Sequence, residues 1–122
     1  MTVENIAEIV HEANRAYCKT LGDLSQPAWD DAPDWQKDSA RKGAEGILTG
    51  AIQTPEQSHE SWLAEKEATG WRFGTVKNPE TKEHPCFVPY SALPPSQRAK
   101  DAIYFAIVTA CRPLCDSYGV PA

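Results

Sequence analysis

No stretch of the chain approaches the roughly 18 consecutive apolar residues that a membrane-spanning helix needs. The opening residues also lack the basic-then-apolar pattern of a secretory signal, since Glu4, Glu8 and His11 interrupt it. Both absences predict a soluble, cytoplasmic protein without a membrane partner. An excess of positive charge is missing too: 12 Lys and Arg against 17 Asp and Glu leave a net charge of -5. The best-supplied basic stretch (Lys66, Arg72, Lys77, Lys82) alternates with Glu65, Glu67, Glu80 and Glu83. A nucleic-acid domain usually carries a basic face, so DNA and RNA are not expected partners. Cysteine is scarce: Cys18, Cys86, Cys111 and Cys115 read as free thiols of a reducing compartment rather than as two disulfides.

Catalytic and metal motifs are absent in turn. There is no serine flanked by glycines at a strand-to-helix turn, no phosphate-cradling glycine loop and no helical metalloprotease motif. Cys111 and Cys115 stand four apart, but Pro113 lies between them and no second ligand pair is near. His11-Glu12 and His59-Glu60 are sequence neighbours, which point about 100° apart on a helix and form no relay. A hydrolase built on His59 or His84 with a carboxylate would need tertiary proximity. The chain therefore reads as a non-enzyme with no metal and no cofactor.

What is present reads as one globular domain over residues 1–114 with a loose tail from 115 to 122, since 122 residues leave no room for two domains. The spacing predicts a mainly α (α+β) fold: four helices, with a small two-stranded β element between the third and fourth. The first helix starts at Thr2 and stops at Gly22, with an inner stripe of Ile6, Ile9, Val10, Ala13, Tyr17 and Leu21. Its other face, with Glu12 and Arg15, reads as solvated. A polar loop follows, whose Trp29 plugs onto the core.

The second helix runs from Pro33 or Asp34 to Leu48 or Thr49, with Trp35, Ser39, Gly43, Gly46 and Ile47 inward; its glycines let another backbone approach. Thr54-Pro55-Glu56-Gln57 is a capping box that opens the third helix, and Gly70 closes it. His59, Trp62, Lys66 and Thr69 share one face of that helix. Trp71 to Val76 and Cys86 to Tyr90 read as two strands of a hairpin. The last helix spans Pro95 to Arg112 and buries Ile103, Ala106, Ile107, Ala110 and Leu114, widened by Tyr104 and Val108.

Several strings then resemble a known family. They are His11-Glu12-Ala13-Asn14-Arg15-Ala16-Tyr17, Pro27-Ala28-Trp29, and Ala32-Pro33-Asp34-Trp35-Gln36. To these are added Ser58-His59-Glu60-Ser61-Trp62 with Lys66, Gly70-Trp71-Arg72-Phe73-Gly74, and Lys82 through Tyr90 with Leu93. In this order, over about residues 4 to 108, they resemble the ryanodine-receptor repeat (RyR domain), most of all its free-standing bacterial and phage forms. The resemblance implies a mainly helical fold with a small β element. In the channels these repeats are paired, peripheral interaction modules without a pore; this chain has one copy. For prokaryotic members it implies a role in sensing nucleotide-derived signals, and it carries over no catalytic residue.

Residues and resemblance together suggest a binding module for a small anionic ligand, such as a nucleotide or an ADP-ribose-like molecule. Aromatic faces would stack on a planar ring, and Lys and His would meet phosphate or carboxylate. The residues expected at that site are His59, Trp62, Lys66, Trp71, His84 and Tyr90, with Trp29 as a lid. The alternative is a protein-interaction or self-assembly module with no small ligand, for which a symmetric homodimer is the simplest form.

Overall fold

The computed structural model describes residues 1–116. Four helices carry it: α1 (Val3–Thr20), α2 (Asp34–Leu48), α3 (Pro55–Ala68) and α4 (Pro95–Cys111). Between α3 and α4 lie two short strands, β1 (Arg72–Phe73) and β2 (Glu83–His84). Single 3-10 turns occur at Trp29–Asp31, Tyr90–Ala92 and Arg112–Leu114. No helix among the described residues is long and apolar enough to cross a membrane.

The helix ends are set by local chemistry. Thr2 accepts the Asn5 amide and Asn5 answers by accepting the Thr2 amide, a reciprocal cap on α1. At α3, Thr54 accepts the Gln57 amide, but the Gln57 side chain reaches one residue further back, to the Gln53 amide, so the expected box is open on one side. Gly22, Gly50 and Gly70 take positive φ just beyond α1, α2 and α3.

The core joins α1, α2 and α4 through Ile6, Val10, Ala44, Ile47, Leu48, Ile52 and Val108. Fully enclosing a side chain such as Ile6 or Leu48 contributes about 1.5–3 kcal/mol. Ile9 and Leu21 are exposed instead, because α1 meets α2 and α4 along Ile6, Ala7, Val10 and Cys18. On the face expected to be solvated, Glu12 and Arg15 pair at 3.2 Å and are half-buried.

In α2 the buried positions are Ala44, Ile47 and Leu48, whereas Trp35 is half in solvent. Gly43 and Gly46 make room for side chains rather than for a backbone: a Cβ would stand 2.9 Å from the Tyr104 hydroxyl oxygen at one and 2.5 Å from Ile52 Cδ1 at the other. The Tyr104 hydroxyl donates to the Ala40 carbonyl. That anchor turns α4 so that Tyr104 and Val108 face inward while Ala106, Ala110 and Leu114 stay exposed.

The β element is parallel, not a hairpin: Arg72 pairs with Glu83 and Phe73 with His84. The second strand therefore precedes Cys86–Tyr90, where Pro85 and Pro89 leave irregular backbone ending in a 3-10 turn. Lys82, in left-handed conformation at φ 57°, makes the reversal possible, and its ammonium donates to the Thr69 carbonyl at 2.7 Å. Cys115, assigned to the tail from sequence, packs into the core at 2% exposure, and the Asp116 amide donates to the Met1 carbonyl. The rest of the expected tail, 117–122, lies outside the described residues.

Candidate functional site

The end of α3 builds the centre of the site. The Trp71 amide donates to the Lys66 carbonyl at 2.9 Å and the Gly70 amide to the Glu67 carbonyl at 3.1 Å. This paired closure through a left-handed glycine folds the chain back over the last turn, so Trp71 returns to the side chain of Lys66. The Lys66 ammonium lies 5.5 Å from the Trp71 ring centre and 4.8 Å from that of Trp35, delivered from α2. Trp35 and Trp71 are themselves 5.7 Å apart.

One turn earlier on α3, Trp62 continues the aromatic array. It stacks on His59 at 5.6 Å and meets the edge of His84 at 5.1 Å, which links α3 to β2. His84 in turn lies 6.3 Å from Trp71. These groups surround a cavity of about 230 Å³ framed by all four helices and the segment after β1. All three histidines border it, as do Trp35, Trp62 and Trp71.

Three lysines also line it: Lys66 from α3, Lys77 from the segment between the strands, and Lys100 from α4. Among the described residues none of their ammonium groups has an ion pair or hydrogen bond. Lys66 is only 5% exposed, and burial draws its pKa below the ordinary lysine value; burial does the same to Lys77. Removing an ammonium from water without an anion costs several kcal/mol, which the two indole faces offset only in part.

The histidines are differently employed. His11 Nε2 donates to the Pro27 carbonyl and His59 Nε2 to the Val88 carbonyl, each at 2.7 Å, so both rings pin loops. His84 Nδ1 accepts the Cys86 amide at 3.0 Å, which leaves its proton on Nε2. Burial, followed by the fields of Lys77, Lys100 and Lys66, holds His84 down at a pKa of about 4. Asp101 faces His59 Nδ1 at 3.8 Å, and burial raises its carboxyl to about 6 despite the opposing pull of His59 and Lys100. That separation exceeds hydrogen-bond reach, and the other nitrogen of His59 is engaged.

Of the residues expected from sequence, His59, Trp62, Lys66, Trp71 and His84 meet around this cavity. Tyr90 does not line it; its ring lies behind His59, 6.1 Å away. Trp29 is not a lid. It is buried against His11 at 5.5 Å, with Lys37 and Arg41 over its ring, and so plugs its loop onto the core.

Trp35, Lys77, Lys100 and Asp101 were missed. For α4 a signal existed: Gln97, Lys100, Asp101 and Tyr104 repeat at helical spacing and form a polar stripe along the cavity. Lys77, in a turn-rich segment, had none. Among the described residues, no group of three or more His, Cys, Asp or Glu side chains could hold a metal ion. Residues 48–107 run from the end of α2 through α3, both strands and most of α4, and hence carry much of the cavity wall. They match the family model of the RyR domain, and the chain belongs to that family.

Proposed function

We propose that this protein is a non-enzymatic binding module that takes a small anionic ligand of nucleotide type, ADP-ribose-like molecules included, into the cavity between α3, α4 and the strand pair. One observation carries the reading: among the described residues, three lysines with no ion pair line a single aromatic-walled cavity, in a chain whose net charge is -5. An anion there would supply the missing counter-charge, and a planar ring would find the faces of Trp35, Trp62 and Trp71. The ligand is a free small molecule rather than a nucleic acid, because the cationic groups are inside a cavity and not on an exposed face. Four free thiols are compatible with a cytoplasmic location.

The test is a thermal-shift screen of the purified protein against nucleotides, dinucleotides and ADP-ribose derivatives. A ligand at a hundred times its dissociation constant adds about 2.7 kcal/mol, which reads as several degrees in a domain of this size. A shift with one chemical class that disappears in Lys66→Met supports the reading. No shift with any anionic compound would remove it. A second reading, self-association, draws on the exposure of Phe73 and Val76 within one short segment. Light scattering that finds only monomer at high protein concentration would sink that alternative.

A further inference from the structure

The cavity has a mouth with a chemistry of its own. An adjoining space of about 280 Å³ shares Gln26, Lys77, His84, Cys86, Gln97 and Lys100 with the main cavity. Three polar side chains along this boundary, Gln26, Gln97 and His84, have one property in common: an acceptor atom is used within the protein and donors are left over. Gln26 Oε1 accepts from the Gln36 side chain at 2.8 Å, and Gln97 Oε1 accepts from Cys86 Sγ at 3.3 Å, so each amide keeps its NH₂. His84 Nδ1 accepts the Cys86 amide, so the ring keeps Nε2–H. Lys77 and Lys100 add two ammonium groups without ion-pair partners among the described residues. Asp23, the carboxylate at this mouth, accepts the Ser25 amide at 2.9 Å and the Ser25 hydroxyl at 2.6 Å through one oxygen.

We propose that this mouth, formed by Lys77, Lys100, His84, Gln26 and Gln97, is a phosphoryl-binding site. A ligand would then hold its phosphate at the mouth and its planar part among the tryptophans within. The proposal rests on the binding reading above and adds the chemical class and the orientation. A phosphoryl group carries acceptors only, spread in three dimensions, and matches donors arriving from four separate segments. A carboxylate offers two acceptors in one plane and would leave several donors unanswered. His84 acts here as a neutral donor, and the charge comes from the lysines.

The experiment uses inorganic phosphate and pyrophosphate as probes, with succinate as the carboxylate control. Binding is read by thermal shift and by ³¹P line broadening on the wild-type chain and on Lys77→Gln, Lys100→Gln and the exposed-surface control Lys19→Gln. Circular dichroism checks that each variant is folded. The expected result is that phosphate and pyrophosphate bind and succinate does not. Each mouth variant should weaken pyrophosphate about tenfold, and the control should leave it unchanged.

In parallel, any nucleotide found by the screen is compared with its nucleoside. If the nucleotide binds, yet no tighter than the nucleoside and equally in the mouth variants, the mouth assignment is overturned and the binding reading stands. Succinate binding as tightly as pyrophosphate also overturns the phosphoryl assignment. If neither nucleotides nor phosphates bind the folded wild-type chain, both readings fall together.

Discussion

Two cavity residues push the acid stability of the fold in opposite directions, and their sum hides both. His84 is held at about 4 in the fold against an ordinary value near 6.5. Its contribution is therefore present above pH 6.5 and is lost as pH falls towards 4, because the unfolded chain takes up the proton first. Asp101 is raised to about 6, so the folded protein holds a proton that the unfolded chain releases near pH 4. Its contribution is present below pH 4 and is lost as pH rises through 6.

Between pH 4 and 6 the two trends oppose each other. Relative to the wild type, Asp101→Asn should gain about 1–3 kcal/mol at pH 7.5 and lose that advantage on acidification to pH 4. His84→Asn should remove the acid-side decline of similar size, discounted for the solvent that reaches the ring. Urea midpoints at half-unit pH intervals measure both. Parallel curves for wild type and either variant would contradict the assigned direction. Neither behaviour was legible in the sequence, since both shifts come first from burial, which the packing of separate elements decides, and at His84 only then from the nearby lysines.

At the scale of elements, the turns were more legible than the faces. Thr2, Thr54, Gly22 and Gly70 act through groups within a few residues, so their roles follow from local chemistry alone. Which side of a helix is buried depends on its neighbours. The apolar positions of α1 and α4 formed stripes wide enough to be rotated by a residue, and the Tyr104 anchor on Ala40 decided the matter for α4. The strand pair itself is where the sequence places it, between α3 and α4, but its parallel pairing was hidden for a related reason: alternation detects extended chain and not its direction, and the chain reverses through the left-handed Lys82.

Gly43 tests the anchor. Alanine there would gain about 1 kcal/mol of helix propensity but would press on the Tyr104 ring at 2.9–3.4 Å. The expected net effect is a loss of about 1–3 kcal/mol, reduced in a Tyr104→Phe background where the nearest atom is gone. A double-mutant cycle with additive effects would show that the contact relaxes freely.

For the whole molecule, stability and binding are expected to compete at Lys66. Replacing it with Met keeps the length of the side chain and removes a buried charge that has no ion pair among the described residues. Lys66→Met should unfold at an equal or higher temperature while losing the anionic ligand. A midpoint lowered by more than about 2 kcal/mol would mean that the lysine holds the tryptophans in place. The presence of a site around α3 was legible because His59, Trp62 and Lys66 fall on one helical face. Its extent was not, since α2 and α4 complete it through residues far away in sequence.

One further property follows from the hydrogen bond between the Asp116 amide and the Met1 carbonyl. The backbone closes on itself there, so the fold has the geometry of a loop pinched at its base. A unit of this shape can be spliced into a surface turn of another protein without stretching its host. It can equally be cut open elsewhere, for instance in the exposed turn around Pro79 and Glu80, with a short linker joining residue 116 to residue 1. Such a rearranged chain should retain the core of α1, α2 and α4, which contains no residue of that turn.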